Sequence, residues 1–215
     1  MPDYHTKTET FAVGGIATTI HSLLDRQQFF DPHGEAARRG ISSAAWPMFG
    51  LVWPSALVLA AHMEHVRLGP RQVLEVGCGL ALASLVVHRR HGRVTASDCH
   101  PLTETFLREN LRLNNMAPLR YRRGDWAANN PTLGRFDLIM GSDVLYDRGQ
   151  PEQLSTFIEL HAHSAAEVII VDPDRGNRPA FNRCMEALGF DRSERKVGAL
   201  PGGSAYKGRL ISYKR

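Results

Sequence analysis

The most constraining feature of this sequence is an apolar run that ends in two glycines and is followed by a second strand ending in an aspartate. Residues 72–82 read QVLEVGCGLAL, an apolar strand pattern in which Gly77 and Gly79 precede an apolar helical stretch. About 20 residues further on, a second strand predicted over 93–97 reaches Asp98. Glycines allow a ligand to approach the backbone closely, and a carboxylate can accept two ribose hydroxyls. Adjacent parallel strands that end in this way predict a nucleoside-binding pocket.

The residues around these glycines indicate which nucleoside the pocket holds. A dinucleotide-binding turn has the pattern GxGxxG, but Leu82 occupies the place of its third glycine. Glu75 lies two residues before the first glycine, where its charge would repel a pyrophosphate and favours a cationic ligand. S-adenosylmethionine carries an ammonium, a sulfonium and a ribose but no phosphate. We therefore predict S-adenosylmethionine as the ligand. A dinucleotide, or a turn whose glycines serve tight packing alone, is the alternative.

Composition and charge set wide limits on the class of protein. A chain of 215 residues with 43% hydrophobic residues suits one domain with a full core. Its net charge of +4 permits nucleic acid or an acidic partner without requiring either. The three cysteines lack the spacing of a disulfide framework or a zinc site, and no stretch resembles a signal peptide or a membrane span. We expect a cytoplasmic protein that binds no membrane. Its oligomeric state stays open.

Strands and helices alternate along most of the chain. Repeated strand–helix units predict an α/β fold, and two strands around a glycine-rich loop predict an antiparallel hairpin at the end. The predicted fold is therefore a Rossmann-like, seven-stranded, mostly parallel sheet with helices on both faces and a C-terminal antiparallel hairpin. The predicted strands are 72–76, 93–97, 119–122, 136–140, 168–171, 190–197 and 209–214. The predicted helices are 80–90, 101–114, 151–164 and 179–188.

The first part of the chain is less regular. Residues 8–13 and 16–20 flank Gly14-Gly15 and predict a hairpin with a two-residue turn. Pro54 suits the first position of a helix that runs to about residue 66. We interpret residues 1–45 as an extension of hairpin and loop that packs on a single domain formed by residues 46–215.

Further polar and aromatic residues follow the later strands, at the sheet edge where ligands bind in open α/β folds. Asp125 and Trp126 could offer an adenine a hydrogen-bond acceptor and a flat apolar surface, although a turn with one core tryptophan explains them as well. Asp143 lies at a strand end facing the predicted crevice, where the alternative is a cap of the next turn. The loop 172–176 is either on the substrate side or a plain turn, and the sequence does not separate the two.

Taken together, these motifs resemble the seven-β-strand S-adenosylmethionine-dependent methyltransferases. Within that class the sequence is similar to the family-16 group, which includes many protein-lysine methyltransferases. The similarity covers roughly residues 46–190. It rests on ExGxG at 75–79, Asp98, Asp125-Trp126, the tetrad Asp143-Val-Leu-Tyr146 and the tryptophan-containing segment 52–61.

The resemblance implies a role for each matching residue. Asp143 would lie beside the methyl-accepting nitrogen, and Tyr146 would wall the acceptor channel or hold the amine. A third glycine is common at the position of Ala81, and we expect its methyl group to displace the loop slightly and to lower cofactor affinity. The residues assigned to the cofactor, by the resemblance or by the arguments above, are Trp53, Glu75, Gly77, Cys78, Gly79, Asp98, Asp125, Trp126 and Ser142.

The predicted function is N-methylation of lysine side chains in a protein substrate. A small-molecule N-methyltransferase is the nearest alternative, because the same pocket can accept a free amine. A nucleic-acid methyltransferase is possible on charge but not favoured, since enzymes acting on adenine commonly have prolines where this tetrad has Val144 and Leu145. His161 and His163 are two apart on a predicted helix and so lie on different faces, and His62 with His65 could share a face but lacks further ligands. We therefore predict no metal site.

Overall fold

The computed structural model describes residues 3–215, and most of its strands form one seven-stranded sheet. Strands β1 and β2 form a separate hairpin, and the sheet has the order β5-β4-β3-β6-β7-β9-β8. The strands are β1 (Thr6–Val13), β2 (Ile16–Leu23), β3 (Gln72–Val76), β4 (Arg93–Asp98), β5 (Arg120–Arg123), β6 (Phe136–Ser142), β7 (Ala162–Asp172), β8 (Asp191–Ala199) and β9 (Ala205–Lys214). The helices are α1 (Glu35–Arg38), α2 (Pro54–Met63), α3 (Leu82–Arg89), α4 (Thr103–Leu113), α5 (Gln150–His161) and α6 (Arg178–Ala187), with a 3₁₀ helix over Trp46–Gly50.

The predicted fold class is confirmed by the pairing of the strands. Strands β3 to β7 pair in parallel, whereas β9 pairs antiparallel with both β7 and β8. Alternate residues of a strand face opposite sides of the sheet, so Val73 joins one hydrophobic core and Leu74 the other. Helices α2, α3 and α4 contribute to the first core, and α5 and α6 contribute to the second. Burial on both faces explains the apolar runs of β3, β6 and the second half of β7, whereas the edge strand β5 is polar and mostly exposed.

Several predicted element boundaries are wrong: α4 begins at Thr103 rather than residue 101, β9 begins at Ala205 rather than residue 209, and α2 ends at Met63 rather than about residue 66. Two further differences have a clear local cause. Helix α3 begins at Leu82 rather than residue 80, because Ala81 before it has a left-handed backbone with φ of 59°. Residues 162–164 were predicted to be helical, but β7 begins at Ala162 immediately after α5. Ala162 pairs with Phe136 of β6, next to an irregularity in the pairing. Because residue 162 already belongs to a strand, the helix ends before it.

The predicted N-terminal hairpin is present and is attached to helix α4. Its turn is Gly14-Gly15, and both glycines have positive φ, as a tight hairpin turn requires. The side chain of Asn110 accepts a hydrogen bond from the His21 N–H at 2.7 Å, and Asn114 accepts one from the Thr19 N–H at 2.8 Å. Buried hairpin side chains belong to the same core as the first-face helices. No helix within residues 3–215 is both long and apolar enough to cross a membrane.

Candidate active site

A cavity of about 640 Å³ lies at the edge of the sheet where the parallel strands end. This volume is in the range that holds small ligands and cofactors. The loops after β3, β4, β5, β6 and β7 each contribute to its walls, together with residues 39–56. Ten of the eleven residues assigned from the sequence line it: Trp53, Gly77, Cys78, Gly79, Asp98, Asp125, Trp126, Ser142, Asp143 and Tyr146.

The glycine loop after β3 is shaped by close packing against the segment that covers it. Gly77 and Gly79 have φ of 57° and 50°, in the left-handed region that glycine tolerates best. A Cβ atom at Gly79 would lie 2.8 Å from the backbone oxygen of Phe49, which belongs to the 3₁₀ helix above the loop. The loop can therefore come this close to its cover only with glycine at position 79.

We expect Gly79→Ala to destabilise the fold and to weaken ligand binding. Gly69 is a matched control, because its φ of 52° is nearly the same and a Cβ there meets nothing within 4 Å. Gly69→Ala should cost about 1–2 kcal/mol of backbone strain. Gly79→Ala should add about 1–3 kcal/mol from the forced displacement of the Phe49 backbone. Chemical denaturation of both variants measures the difference, and equal losses would contradict the packing argument.

Ala81, at the position where the resemblance led us to expect a glycine, has a backbone conformation that favours glycine. It is fully buried and lies at φ of 59°, directly before helix α3. A left-handed alanine costs roughly 1–2 kcal/mol, so the surrounding packing holds this turn in place. The lower cofactor affinity expected from Ala81 stays a prediction.

Asp98 holds the glycine loop and also faces the cavity. Its Oδ2 accepts a hydrogen bond from the Gly79 N–H at 2.9 Å, and its Oδ1 accepts one from the His100 N–H at 2.9 Å. Burial raises the pKa of this carboxyl above its ordinary value, and the two backbone donors oppose that shift. Each carboxylate oxygen has a second lone pair, which leaves capacity for the two hydroxyls of a ribose.

The structure does not support the predicted ligand contact of Glu75, because this residue does not line the cavity. Its Oε2 instead accepts hydrogen bonds from the Ser84 N–H at 2.8 Å and from the Ser84 hydroxyl at 2.5 Å. Ser84 lies in the first turn of α3, where backbone N–H groups lack helical partners. Glu75 therefore holds the start of the helix that follows the glycine loop. Its side chain points beneath the loop, which a sequence motif does not reveal.

Buried Glu75 should make the stability of the protein depend on pH. Burial is the main reason that its pKa is raised from 4.5 to about 7. The folded protein therefore keeps a proton that the unfolded chain has lost, so this contribution is complete below pH 4.5 and disappears as pH rises through about 7. We expect Glu75→Gln to flatten the fall of Tm between pH 4.5 and about pH 7 and to stabilise the protein at about pH 8 by at most about 3 kcal/mol.

The control for this prediction is Glu104→Gln, which changes an exposed carboxylate on α4 that pairs with Arg108. Thermal unfolding across the pH range should leave that variant parallel to the wild type. An unchanged pH profile in Glu75→Gln would contradict a buried, titrating Glu75.

Aromatic side chains form part of the cavity wall. The ring of Trp126 lies 3.4 Å from the position of a Cβ at Gly77, so it packs directly on the glycine loop. The indole N–H of Trp53 donates to the Met48 carbonyl at 2.9 Å and fixes the segment that covers the cavity. Asp125 is anchored by its backbone N–H, which donates to Asn130 Oδ1 at 3.1 Å. These contacts bring a flat apolar surface and a carboxylate to the same side of the cavity.

The wall of the cavity formed by the loops after β6 and β7 contains an ion pair that the sequence did not reveal. Asp143 has a side chain only 9% exposed, and its Oδ1 accepts a hydrogen bond from Arg175 Nε at 2.6 Å. Arg175 also lines the cavity, whereas Tyr146 lines it with 48% of its surface exposed. Arg175 lies in the loop 172–176, which the sequence left undetermined. Arg175 follows a predicted parallel strand, and this position in the sequence indicated that it could lie at the cavity edge of the sheet.

The charged groups of the cavity favour a cationic ligand. Four aspartates line it, against two arginines and no lysine: Asp98, Asp125, Asp143 and Asp147 with Arg39 and Arg175. His100 adds no charge near neutral pH, because burial lowers its pKa to about 3. A low-dielectric cavity lined mainly by carboxylates attracts positive charge. Within residues 3–215 no group of three or more potential ligands is placed to hold a metal ion.

The fold and this cavity define a class of protein, the Rossmann-like methyltransferases that depend on S-adenosylmethionine. The T. thermophilus 16S rRNA N2 G1207 methyltransferase, solved with AdoMet and guanosine, superposes with a TM-score of 0.66 at 19% identity, over 100% of this chain and 52% of that one. The ribosomal protein L11 methylase from Lactobacillus delbrueckii gives a TM-score of 0.58 at 21% identity, over 74% of this chain and 77% of the other. At these identities the likeness concerns the fold alone.

The chain belongs to the lysine methyltransferase family, whose sequence profile matches residues 45–183. The electron transfer flavoprotein beta subunit lysine methyltransferase of Danio rerio is 32% identical over 135 residues, which are 60% of this chain and 51% of that protein. The histone-arginine methyltransferase METTL23 of Xenopus laevis is 31% identical over 103 residues, 45% of this chain and 44% of that protein. The chain spans about half the length of the curated relatives that it matches.

Proposed function

We propose that this protein transfers a methyl group from S-adenosylmethionine to the side-chain nitrogen of lysine in a protein substrate. The observation that carries the proposal is the excess of carboxylates in the cavity, with Asp143 nearly buried on its acceptor side. Both the sulfonium cofactor and a lysine side chain are cationic, so the same electrostatic field favours both.

The residues around the glycine loop fit the cofactor. Asp98 has free lone pairs for the ribose hydroxyls, and Trp126 with Asp125 offers an apolar face and an acceptor for adenine. Gly77 has no side chain, and a Cβ there would lie 3.0 Å from Val144 and 3.4 Å from Trp126, so the loop meets these residues with its backbone. When bound, S-adenosylmethionine supplies a methyl group on a positively charged sulfur.

The remaining work of the protein is to position the nitrogen and to exclude water. Asp143 would orient the incoming amine and stabilise the positive charge that develops on it. Tyr146 would form the wall of the channel through which a long side chain enters. Partial desolvation of a lysine in this channel lowers its pKa and so favours the neutral amine that can accept a methyl group. Holding the two reactants in line can supply several orders of magnitude in rate.

A protein substrate is supported by family membership and by the open side of the cavity. Relatives carry names as methyltransferases of lysine in the electron transfer flavoprotein beta subunit and of arginine in histones. Tyr146 is half exposed at the cavity, so a side chain presented by a folded partner can reach Asp143. We therefore place a protein ahead of a free amine or a nucleic acid as the acceptor.

The experiment that tests the proposal is incubation of the purified protein with tritium-labelled S-adenosylmethionine and a cell lysate. We expect a labelled protein band whose hydrolysate contains methylated lysine, and no label with Asp143→Asn. Label recovered as methylated arginine would show that the acceptor residue is arginine rather than lysine. Label confined to RNA, or to a small molecule, would contradict the protein-lysine proposal.

A further inference from the structure

Arg175 is held beside Asp143 by contacts that come from the end of strand β7. The backbone N–H of Arg175 donates to Asp172 Oδ1 at 2.8 Å, and Asp172 itself is fully buried. The backbone N–H of Asp143 donates to the Val171 carbonyl at 2.9 Å. Both members of the Asp143–Arg175 pair are thus attached to the last residues of one strand, which sets their relative position.

The pair uses only one oxygen of the Asp143 carboxylate. Arg175 Nε donates to Oδ1 at 2.6 Å, the short distance of a charge-assisted hydrogen bond. Within residues 3–215, Oδ2 takes part in no hydrogen bond and is not among the buried atoms that lack partners. Because Asp143 lines the cavity, Oδ2 is the oxygen available to an acceptor nitrogen.

Asp143 has a strained backbone, and the orientation of its carboxylate needs a contact that fixes it. Its φ of 56° lies in the left-handed region, which is uncommon for residues other than glycine. Aspartate tolerates this region better than most residues, but its carboxylate can rotate about the side-chain bonds. A guanidinium donor fixed on Oδ1 removes that freedom and selects one orientation of Oδ2.

We propose that Arg175 is a positioning residue for methyl transfer: it holds Asp143 Oδ1 so that Oδ2 is directed at the acceptor nitrogen. The inference rests on the proposed function, because it assigns Asp143 to the acceptor. It adds a residue that acts through Asp143 and that contacts neither the methyl group nor the ribose. Removing Arg175 should therefore impair turnover without impairing cofactor binding.

The test compares Arg175→Met and Arg175→Lys with the matched control Arg192→Met. Arg192 donates through Nε to Glu186 at 2.7 Å and is 32% exposed, against 2.6 Å and 38% for Arg175, but it lies outside the cavity lining. We expect Arg175→Met to lower kcat by about 10- to 100-fold, the usual cost of a misplaced group. KM for the protein acceptor and Kd for S-adenosylhomocysteine should stay within about threefold. Arg175→Lys should recover part of kcat, and Arg192→Met should resemble the wild type.

A second measurement needs neither cofactor nor turnover. In the ligand-free protein labelled with ¹⁵N-arginine, the Arg175 Nε–H should give a slowly exchanging, shifted NMR signal that disappears in Asp143→Gly, which removes the carboxylate and suits the left-handed backbone at this position. The same signal in Asp143→Gly as in the wild type would overturn the pairing. Turnover within about twofold of the wild type in Arg175→Met, or an equal loss of S-adenosylhomocysteine affinity, would overturn the positioning role. A wild-type protein that transfers no methyl group would overturn the proposed function, and this inference with it.

Discussion

The Asp143→Asn variant is expected to lose about 100- to 1,000-fold in kcat while it binds S-adenosylhomocysteine like the wild type. The substitution keeps the size of the side chain but removes the negative charge that faces the developing positive charge on the acceptor nitrogen. The amide can still meet Arg175 through its oxygen, so the fold should survive. Single-turnover methylation and calorimetry with S-adenosylhomocysteine measure the two effects separately.

The matched control for Asp143→Asn is Asp137→Asn, at the opposite end of strand β6. Asp137 Oδ2 accepts a hydrogen bond from the Gln72 N–H at 2.8 Å and does not line the cavity. This control should retain turnover. Tyr146→Phe tests the second residue of the tetrad. Near-normal turnover in both Asp143→Asn and Tyr146→Phe would contradict the proposal that these two residues position the methyl acceptor.

The Asp98→Asn variant is expected to bind S-adenosylmethionine and S-adenosylhomocysteine about 10- to 100-fold more weakly. A hydrogen bond to a charged group contributes about 1.5–3 kcal/mol, and an asparagine has one acceptor oxygen where the carboxylate has two. That one oxygen must serve the Gly79 or His100 N–H as well as a ribose hydroxyl, so at least one partner is left unsatisfied. Calorimetric titration with S-adenosylhomocysteine measures the loss.

Thermal unfolding distinguishes a lost ligand contact from a damaged fold in Asp98→Asn. Burial raises the pKa of Asp98, so the anion is unfavourable in the folded protein and its removal offsets part of the lost hydrogen bonding. We expect a small change in Tm beside the large change in affinity. The cofactor assignment would be contradicted if Asp98→Asn bound S-adenosylhomocysteine as tightly as the wild type and if both the variant and the wild type bound NADH more tightly. The pocket would then be a dinucleotide site.

Local patterns were sufficient for the sheet and for most of the candidate site. The central strands β3, β6 and β7 are recognisable because each contains a short apolar run, and the parallel arrangement follows from alternation with helices. Once the strands are parallel, their carboxyl ends share one edge, so residues that follow them in sequence must converge. Asp98, Trp126 and Asp143 lie on three different loops, yet they line one cavity for this reason.

Tertiary structure alone decided the features that depend on contacts between distant residues. The cover over the glycine loop comes from residues 39–53, whose sequence shows no regular pattern. The backbone oxygen of Phe49 restricts position 79 to glycine only because the chain folds back over the loop there. Glu75 lies beneath the loop because buried strand residues alternate sides and Ser84 is within reach.

The sequence by itself determined the α/β class, the mostly parallel arrangement of the strands and the edge at which the cavity forms, because these follow from local hydrophobic periodicity and turn residues. The order of the strands in the sheet came from the structure. It could not determine that Arg175 meets Asp143, since the two residues are 32 positions apart and only the pairing of β6 with β7 brings their loops together. The partner of each side chain depends on packing across the sheet, and local patterns do not determine it.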